Sequence, residues 1–196
     1  MGAAKPAKRR RDPERRIEEI TAATERVIAA RGIEGLTHRA VAEEAGVPLG
    51  ATTYHFATKG DLIAAALQRA VDRFGVYLDD WVAQRPTLTI DQYVVLLADA
   101  LVRSFESEHD QQVLEFELYM AALRRPALRV IADQYTELTV RTLMHYSDPV
   151  TATAAAAALN GISLRALANS TPPTRAEIET ILRRILTPNP ALPVEP

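Results

Sequence analysis

The side chains with the most hydrogen-bonding and cationic chemistry lie in one stretch, Thr37 to Lys59, which reads THRAVAEEAGVPLGATTYHFATK. Lys59 falls at the start of a predicted helix, where the helix dipole disfavours a cation, so a neighbouring phosphate accounts for it better than solvent does. His55 has two interpretations, since it can donate to a phosphate or simply pack beside Phe56. The stretch therefore predicts noncovalent recognition of a polyanion.

The residue groupings that serve catalysis or metal binding are missing from the sequence. It contains no Gly-rich phosphate loop, no nucleophile elbow and no His–carboxylate cluster. His109 and His145 have no partner at metal-ligand spacing, and we expect both at the surface. Glu115 and Glu117 are close in sequence but fall on opposite sides of a helix. We therefore predict no catalytic residue, no metal site and no cofactor.

Two short helices separated by a tight turn position the polar stretch. The first begins at Thr37, whose hydroxyl can cap it, and Gly46 can take the left-handed conformation that ends it. The second starts at Pro48, because proline suits a first helical position, and runs for about two turns. Two helices that meet across such a turn form a helix-turn-helix, whose second helix can enter the DNA major groove.

The rest of the chain shows helical periodicity, without a strand pattern or a repeat. We predict an all-α fold: a three-helix DNA-binding head with the helix-turn-helix, followed by a six-helix C-terminal body. The predicted domains are a disordered basic arm (1–11), the head (12–59), the body (60–187) and a disordered proline-rich tail (188–196). A long helix from Gly60 to Ala83 starts at the head and ends in the body. Capping boxes are predicted at Thr58 with Asp61, Thr89 with Gln92, and Thr174 with Glu177.

Composition limits the remaining possibilities. The chain has 196 residues, of which 47% are hydrophobic and 24% charged, enough for a substantial buried core. It has no cysteine, which excludes disulfides and thiolate metal sites. No uninterrupted apolar run reaches the ~18 residues of a membrane span, and no apolar segment follows the basic N-terminus as in a signal peptide, so we expect a cytoplasmic protein with no membrane partner. The net charge is −2, with basic residues in excess before residue 60 and acidic residues in excess after it.

Aromatic and large apolar side chains recur in the predicted body. Rings with hydroxyl tips around an apolar space are typical of small-molecule pockets. The alternative is that each ring is plain core, which is the commoner role of an aromatic at helical spacing. The candidates for a ligand pocket are Tyr93, Leu97, Phe105, Phe116, Tyr119, Met120 and Tyr135.

From Ile17 to Leu62, about a quarter of the chain, the sequence resembles the N-terminal domain of the TetR family of bacterial transcriptional regulators. The resemblance rests on Ala22-Ala23, Gly32, Leu36-Thr37, Val41-Ala42, Ala45-Gly46-Val47, Gly50, Tyr54-His55-Phe56, Lys59 and Leu62, in order and spacing. It implies a homodimer whose helices eight and nine pair into a four-helix bundle, a small-molecule pocket in the body, and repression relieved by the ligand. The implied dimer residues are Ala158, Leu159, Ile162, Ile178, Ile181, Leu182 and Ile185.

The resemblance also implies roles for individual DNA-binding residues. Thr37, His38 and Arg39 match the start of the helix that approaches phosphates and sometimes a base. The stretch departs from the family at Pro48, where serine is common, and at Thr53, where the first tyrosine usually stands, so either Thr53 or Tyr54 reaches a phosphate. Leu49, Gly50, Ala51, Thr52 and Thr53 match the recognition helix, and Tyr54, His55 and Lys59 match residues that contact the DNA backbone.

Small side chains on the recognition helix limit how it can read DNA. Leu49, Ala51 and the two threonines can touch thymine methyl groups and form single hydrogen bonds, but cannot form the paired contact that arginine makes with guanine. Arg39, His38 or the basic arm would supply any stronger polar readout.

Three classes of function compete. The first is a dimeric repressor of a double-stranded DNA operator that a small apolar effector releases. The second is a DNA-binding protein of the same fold without an effector, and the third is a helical enzyme or carrier with a vestigial head. The sequence favours the first. Its expected mechanism is a population shift, in which the ligand disfavours the spacing of ~34–36 Å between recognition helices that matches DNA, and the 60–83 helix carries the change.

Overall fold

A computed structural model describes residues 13–187, and these form nine α-helices, one short 3-10 helix at Pro126–Leu128 and no strand. The predicted all-α fold, with three helices followed by six, is confirmed. The predicted arm and the predicted tail lie outside the described residues. The helices are α1 Pro13–Arg31, α2 His38–Ala45, α3 Leu49–His55, α4 Lys59–Ala83, α5 Ile90–Ser107, α6 His109–Arg124, α7 Arg129–Leu143, α8 Pro149–Ala168 and α9 Arg175–Leu186.

Local sequence signals set the helix ends. The Thr37 hydroxyl accepts a hydrogen bond from the backbone N–H of Ala40 at 3.1 Å, and Gly46 ends α2 with φ of 64°. All three predicted capping boxes form, with both reciprocal hydrogen bonds present in each. One detail of the prediction is wrong: Pro48 is the extended N-cap of α3 and not its first helical residue, because its ψ is 143°.

The described chain divides into two compact units, the first ending at Ala66 and the second beginning at Leu67. In the first unit α2 packs against both α1 and α3. An exposed ion pair between Arg26 and Glu44, at 2.6 Å, joins α1 to α2. The largest fully buried side chains of this unit are Ile20, Ile28, Leu36, Val41, Leu62 and Ile63.

In the second unit α8 packs against α7 and α9, and α5 packs against α9. The Arg175–Asp99 ion pair, at 2.5 Å, ties the start of α9 to α5, and a second ion pair joins Arg183 to Asp91. The core consists of apolar residues from α4, α5, α7, α8 and α9. Its buried members are Trp81, Tyr93, Val94, Ala98, Leu143, Ala152, Ala155, Ala156, Leu159, Ile162, Ile178, Leu182 and Leu186.

Helix α8 is the one described helix that is long and apolar enough to cross a membrane by length and composition alone. The sequence did not predict it as a candidate span because Asn160, Ser163 and Arg165 interrupt its apolar run. The helix also supplies core residues such as Ala155 and Leu159, so its apolar character is accounted for in part by packing within the chain.

Candidate DNA-binding surface and ligand cavities

Thr52 anchors α3 to the rest of the first unit. Its side chain is fully buried, and its hydroxyl donates to the Leu49 carbonyl at 2.8 Å and, more weakly, to the His38 carbonyl on α2 at 3.4 Å. The predicted contact between Thr52 and a DNA base is therefore wrong, because a buried hydroxyl that bonds backbone carbonyls cannot reach the groove. Thr52 instead fixes the orientation of α3 relative to α2.

The opposite side of α3 is exposed. Leu49, Gly50, Thr53 and Tyr54 lie on it, and Tyr54 is 83% exposed. A Cβ built on Gly50 would meet no atom within 4 Å, so space in front of this helix is open. Ala51 is half-buried at the edge of the face.

The flanking candidates differ in how they are held. Arg39 is exposed and forms no hydrogen bond or ion pair with the described residues, which leaves its guanidinium available. The Lys59 ammonium donates to the Glu34 carbonyl at 3.4 Å. His38 is half-buried with an Nδ1 atom that has no hydrogen-bond partner among the described residues, and the half-buried His55 ring contacts the Tyr54 ring edge-on at 5.0 Å.

Together these residues make a short helix whose exposed side combines the small residues Gly50 and Thr53 with Leu49 and Tyr54, beside the guanidinium of Arg39. The exposed cap residue Thr37 lies at the start of α2. Such a surface can approach a groove closely and contribute methyl contacts and single hydrogen bonds. With Arg39 it also offers a charge-assisted donor.

The second unit contains a cavity of about 300 Å³, its open mouth included, which we name the acidic cavity. The Glu115 carboxylate lies in its wall. Gln111 donates to one carboxylate oxygen at 2.7 Å, and the Tyr135 hydroxyl donates to the other at 3.2 Å. The lining residues are Glu115, Phe116, Tyr119, Tyr135 and Asn160.

Burial raises the pKa of the Glu115 carboxyl above its ordinary value, while the hydrogen bonds from Gln111 and Tyr135 and the charge of Arg73 oppose the increase. Burial also raises the pKa of Tyr135 well above its usual range, with further contributions from the neighbouring Glu115 charge. Tyr135 therefore stays a neutral donor, and the acidic cavity presents one carboxylate among aromatic rings.

A second cavity of about 380 Å³, also counted with its mouth, lies beside Trp81, and we name it the neutral cavity. No acidic or basic side chain lines it. Trp81 and Tyr93 pack edge-on with their ring centroids 5.7 Å apart. The lining residues are Tyr77, Leu78, Trp81, Tyr93, Leu97, Ala100, Thr139, Thr142, Leu143 and Leu159.

The predicted ligand residues are distributed over these cavities. Phe116, Tyr119 and Tyr135 line the acidic cavity, and Tyr93 and Leu97 line the neutral one.

Two ligand predictions do not agree with the structure. Phe105 lines neither cavity and packs against the core, and Met120 is 51% exposed, because α6 buries Leu114 and Leu118 on its other side.

Sequence reasoning missed Glu115 and Asn160 as cavity residues. The signal for Glu115 was present, since it is a carboxylate between Leu114 and Phe116 in a helix with apolar residues on more than one face.

The predicted dimer residues on α8 and α9 need correction. Leu159, Ile162, Ile178 and Leu182 are buried in the core of the same chain and cannot lie on an outer face. Ile181 and Ile185 pack partly buried against that core, and Ala158 is half-buried. The sequence placed the dimer on the more apolar sides of these helices, which are the sides that close the protomer's own core.

Comparison with known proteins agrees with this architecture. Residues 20–66 match the bacterial regulatory proteins of the tetR family, and residues 88–188 match the tetracyclin repressor-like C-terminal domain. The HTH-type transcriptional regulator PksA of Bacillus subtilis (strain 168) is 32% identical over 102 residues. That match spans 52% of this chain and 49% of PksA, about half of each protein.

Solved structures extend the similarity to the whole chain. The multidrug binding protein EbrR complexed with imidazole is 40% identical, with a TM-score of 0.78 over 98% of this chain and 100% of its own. Its ethidium complex is 42% identical, with a TM-score of 0.77 over 87% of this chain and 98% of its own. EbrR complexes with proflavin and malachite green are also 42% identical, with TM-scores of 0.72 and 0.71.

A TetR-family member, SCO1917 from Streptomyces coelicolor A3, is 39% identical, with a TM-score of 0.75 over 87% of this chain and 98% of its own. The helix-turn-helix, the all-helical body and these matches lead to one conclusion. The chain belongs to the TetR family of bacterial transcriptional regulators.

Proposed function

We propose that this regulator is a dimeric repressor that binds an inverted-repeat operator and leaves it when a flat aromatic cation occupies the acidic cavity. The observation that carries the proposal is the half-buried Glu115 carboxylate, which lies beside Phe116 and Tyr119, accepts hydrogen bonds from the neutral donors Gln111 and Tyr135, and has the charge of Arg73 in its neighbourhood. Removing a carboxylate from water is costly, Arg73 compensates part of that cost, and a ligand cation would offset more of it. The effector predicted from sequence was apolar, and we revise it to a cation.

The aromatic walls of the acidic cavity, as well as the charge of Glu115, indicate which class of ligand it binds. Aromatic faces attract cations through their quadrupoles, most strongly in desolvated sites. Tyr135 stacks on Phe74 at 4.7 Å between ring centroids, and the Tyr119 ring lies 6.2 Å from it at an interplanar angle of 53°, so aromatic rings cluster at the wall of the cavity. Ethidium, proflavin and malachite green, with which EbrR was crystallised, are all aromatic cations. This agreement supports the same ligand class here.

The operator contact is assigned to the exposed side of α3 and to Arg39. Gly50 supports close approach to DNA, because a Cβ there would meet nothing within the chain. Glycine is unfavourable in a helix interior by about 1 kcal/mol relative to alanine, and no crowding within the chain offsets such a cost at Gly50, which supports a role for this glycine at the DNA interface. We assign Leu49, Thr53 and Tyr54 to the same interface.

The dimer contact is assigned to the outward side of α8, opposite the core residues. Val150 and Leu164 are 79% and 50% exposed, and the small exposed residues Ala154, Ala157 and Gly161 lie between them at helical spacing. A Cβ on Gly161 would also meet no atom within 4 Å. Small side chains permit a second helix to approach closely, which gives this glycine a purpose. The outward side of α9 would complete the four-helix bundle expected for the family.

One turn of α8 carries residues of both cavities and of the proposed dimer contact. Leu159 lines the neutral cavity, Asn160 lines the acidic cavity, and Gly161 lies on the outward side. A ligand that displaces Asn160 therefore acts within one turn of the partner contact. The expected result is a population shift away from the spacing of ~34–36 Å that fits successive major grooves, limited by the ratio of the ligand's two affinities.

The decisive experiment selects an operator from random DNA at near-physiological salt and then titrates malachite green into the protein–operator complex. Malachite green is preferred because ethidium intercalates and perturbs the DNA itself. We expect an inverted repeat, complete release from the wild-type protein, and release from Glu115→Gln only at dye concentrations at least about 30-fold higher.

Glu137→Gln is the matched control, since it makes the same charge change at an exposed site on α7. It should behave as wild type. Equal release from Glu115→Gln and wild type would exclude the acidic cavity as the effector site. An operator retained at every dye concentration would favour the second function, a DNA-binding protein without an effector.

A further inference from the structure

The corner between α6 and α7 carries an exposed surface to which the proposed function assigns no role. Met120, Leu123 and Arg124 follow one another at helical spacing near the end of α6, and Leu123 is 65% exposed. Val130, in the first turn of α7, is 66% exposed, and Arg129 beside it is exposed as well. We name these five residues the arginine corner.

The two arginines of the corner have no anionic partner within residues 13–187. Neither Arg124 nor Arg129 forms an ion pair or a side-chain hydrogen bond there. Asp133 lies one turn after Arg129 on α7, but it too is exposed and does not pair with it. Arg129 is also the first residue of α7, where the helix dipole disfavours a cation. An anion outside the chain would relieve this unfavourable placement.

The exposed side of α4 carries the opposite charge around a similar apolar centre. Val76, Asp79, Asp80 and Ala83 are all exposed and recur at spacings of three and four, so they share one side of the helix. Val76 is 64% exposed, and neither aspartate side chain has a partner among the described residues. Asp80 lies in the last turn of α4, where the helix dipole disfavours an anion. We name these four residues the acidic face.

The arginine corner and the acidic face complement each other. Each places large exposed apolar side chains beside unpaired charges, the charges have opposite signs, and each surface has one charge at the unfavourable end of a helix. Protein interfaces combine an apolar centre with a polar rim, and arginine and methionine are enriched in them. A DNA backbone would match the arginines but would leave Leu123 and Val130 exposed. A second copy of this chain matches both kinds of side chain.

We propose that the arginine corner of one copy docks on the acidic face of another and so joins one dimer to the next. The proposal rests on the proposed function only for the description of the joined particles as dimers. The two surfaces use α4, α6 and α7 and no residue assigned to the dimer contact, so both remain available in the dimer. Because the surfaces differ, the contact is head-to-tail, and binding of dimers to adjacent operators becomes cooperative.

The test measures the size of the full-length protein by sedimentation velocity. A small contact with exposed charges is weak and sensitive to salt. We therefore expect particles larger than a dimer at about 10–100 μM protein in about 50 mM salt, and dimers only in about 500 mM salt. A dimer of constant size at every concentration and at both salts would overturn the proposal. If the smallest particle were a monomer, the proposed dimer would fail, whereas growth on dilution of salt would still support the docking, so the two failures are distinguishable.

Charge reversal identifies the two surfaces. Arg124→Glu with Arg129→Glu, and separately Asp79→Arg with Asp80→Arg, should each weaken association beyond the dimer at least about tenfold, because like charges then face each other. A chain with all four reversals keeps the wild-type net charge and should regain association, which also shows that the reversals do not unfold the protein. Arg141→Glu reverses an exposed arginine elsewhere on α7 and should associate as wild type does.

Two results of the reversal series would overturn the proposal. In the first, the chain with all four reversals fails to regain association. In the second, the reversed arginine corner leaves association unchanged and weakens binding to a single operator, which would assign the corner to DNA.

Discussion

The two compact units present their chemistry in opposite ways. In the first, functional groups lie on the outside of short helices, and Thr52 reaches only 14 residues back to His38 to hold them in place. In the second, the chemistry is enclosed: Glu115 lies in a cavity wall and meets Tyr135 from the next α-helix. An exposed surface built from adjacent helices is defined mainly by local sequence. An enclosed site exists only after distant helices have packed.

The same difference explains the two sides of α8. The residues on its inward side are apolar in sequence, and they pack into the core of the same chain. Its outward side, with Gly161 and exposed Leu164, looks unremarkable in sequence. Hydrophobicity alone therefore predicts burial, and it does not indicate whether the burial occurs within one chain or between two.

Paired leucine substitutions give the largest expected effect. Leu182→Ala removes a fully buried core side chain and should lower the free energy of unfolding by about 2–5 kcal/mol in urea titrations. Leu164→Ala removes a half-exposed one and should change that value by less than about 0.5 kcal/mol at a protein concentration where both forms are monomeric. It should instead weaken the dimer in sedimentation experiments. A Leu182→Ala variant with normal stability and a weakened dimer would restore the original dimer prediction.

Local signals account for most of what the sequence predicted correctly. Thr37 as a cap, Gly46 in the left-handed region and the three capping boxes depend on residues within a few positions of one another. The family resemblance is likewise a local pattern in the first unit.

The errors have a common physical cause. Helix α6 carries apolar residues on more than one face, so its pattern does not determine that Leu118 is buried and Met120 exposed. Glu115 appeared unimportant because its partner is 20 residues away and its environment depends on packing. Thr52 is polar on a helix of seven residues, which is too short for periodicity to assign its buried side.

Arg39→Ala tests the exposed surface of the first unit. Loss of one charged contact in each half-site should cost about 1–3 kcal/mol per half-site, or about 2–6 kcal/mol in a dimer, which is at least about a 30-fold loss of operator affinity. The measurement is fluorescence anisotropy at fixed salt. Arg31→Ala, which removes the same charge at the exposed end of α1, is the control and should cost far less. Equal losses in both variants would indicate general attraction of the head to DNA without a specific role for Arg39.

Changes in pH test the enclosed site. Because burial raises the pKa of Glu115, its carboxylate is neutralised at a higher pH than an ordinary glutamate, whose pKa is near 4.5. As pH falls through the raised value, affinity for malachite green should decrease about tenfold per unit, and Glu115→Gln should show no such slope. The hydrogen bonds from Gln111 and Tyr135 and the charge of Arg73 oppose this increase in the pKa, whereas the charge of Glu108 adds to it. A flat pH profile in wild type would exclude Glu115 as the cation's partner.

The raised pKa of Glu115 also affects the stability of the protein without ligand. Acidification should weaken dye binding, but it should increase the contribution of Glu115 to stability. The folded protein without ligand binds the Glu115 proton more tightly than the unfolded chain does. The resulting stabilisation is complete below the unfolded pKa and is lost as pH rises through the folded one. Glu115→Gln should therefore raise the melting temperature at neutral pH relative to wild type, and the difference should shrink on acidification. A variant less stable than wild type at neutral pH would show that the carboxylate is structurally required.

Gly50→Ala gives the smallest expected effect. Together with Gly46→Ala it separates a glycine that the fold requires from one that the proposed DNA contact requires. The chain has open space at this position and its φ is not positive, so alanine should stabilise the unit by up to about 1 kcal/mol. The added methyl should nevertheless weaken operator binding several-fold, since it projects from the exposed side of α3.

Gly46→Ala is the contrast: space is equally open there, but φ is 64°, so alanine should destabilise the unit by roughly 1–2 kcal/mol. Gly46 is thus required by the left-handed conformation that ends α2, whereas the proposed interface predicts that Gly50 is required for close approach to DNA. If Gly50→Ala bound the operator as tightly as wild type, α3 would not approach DNA along this side.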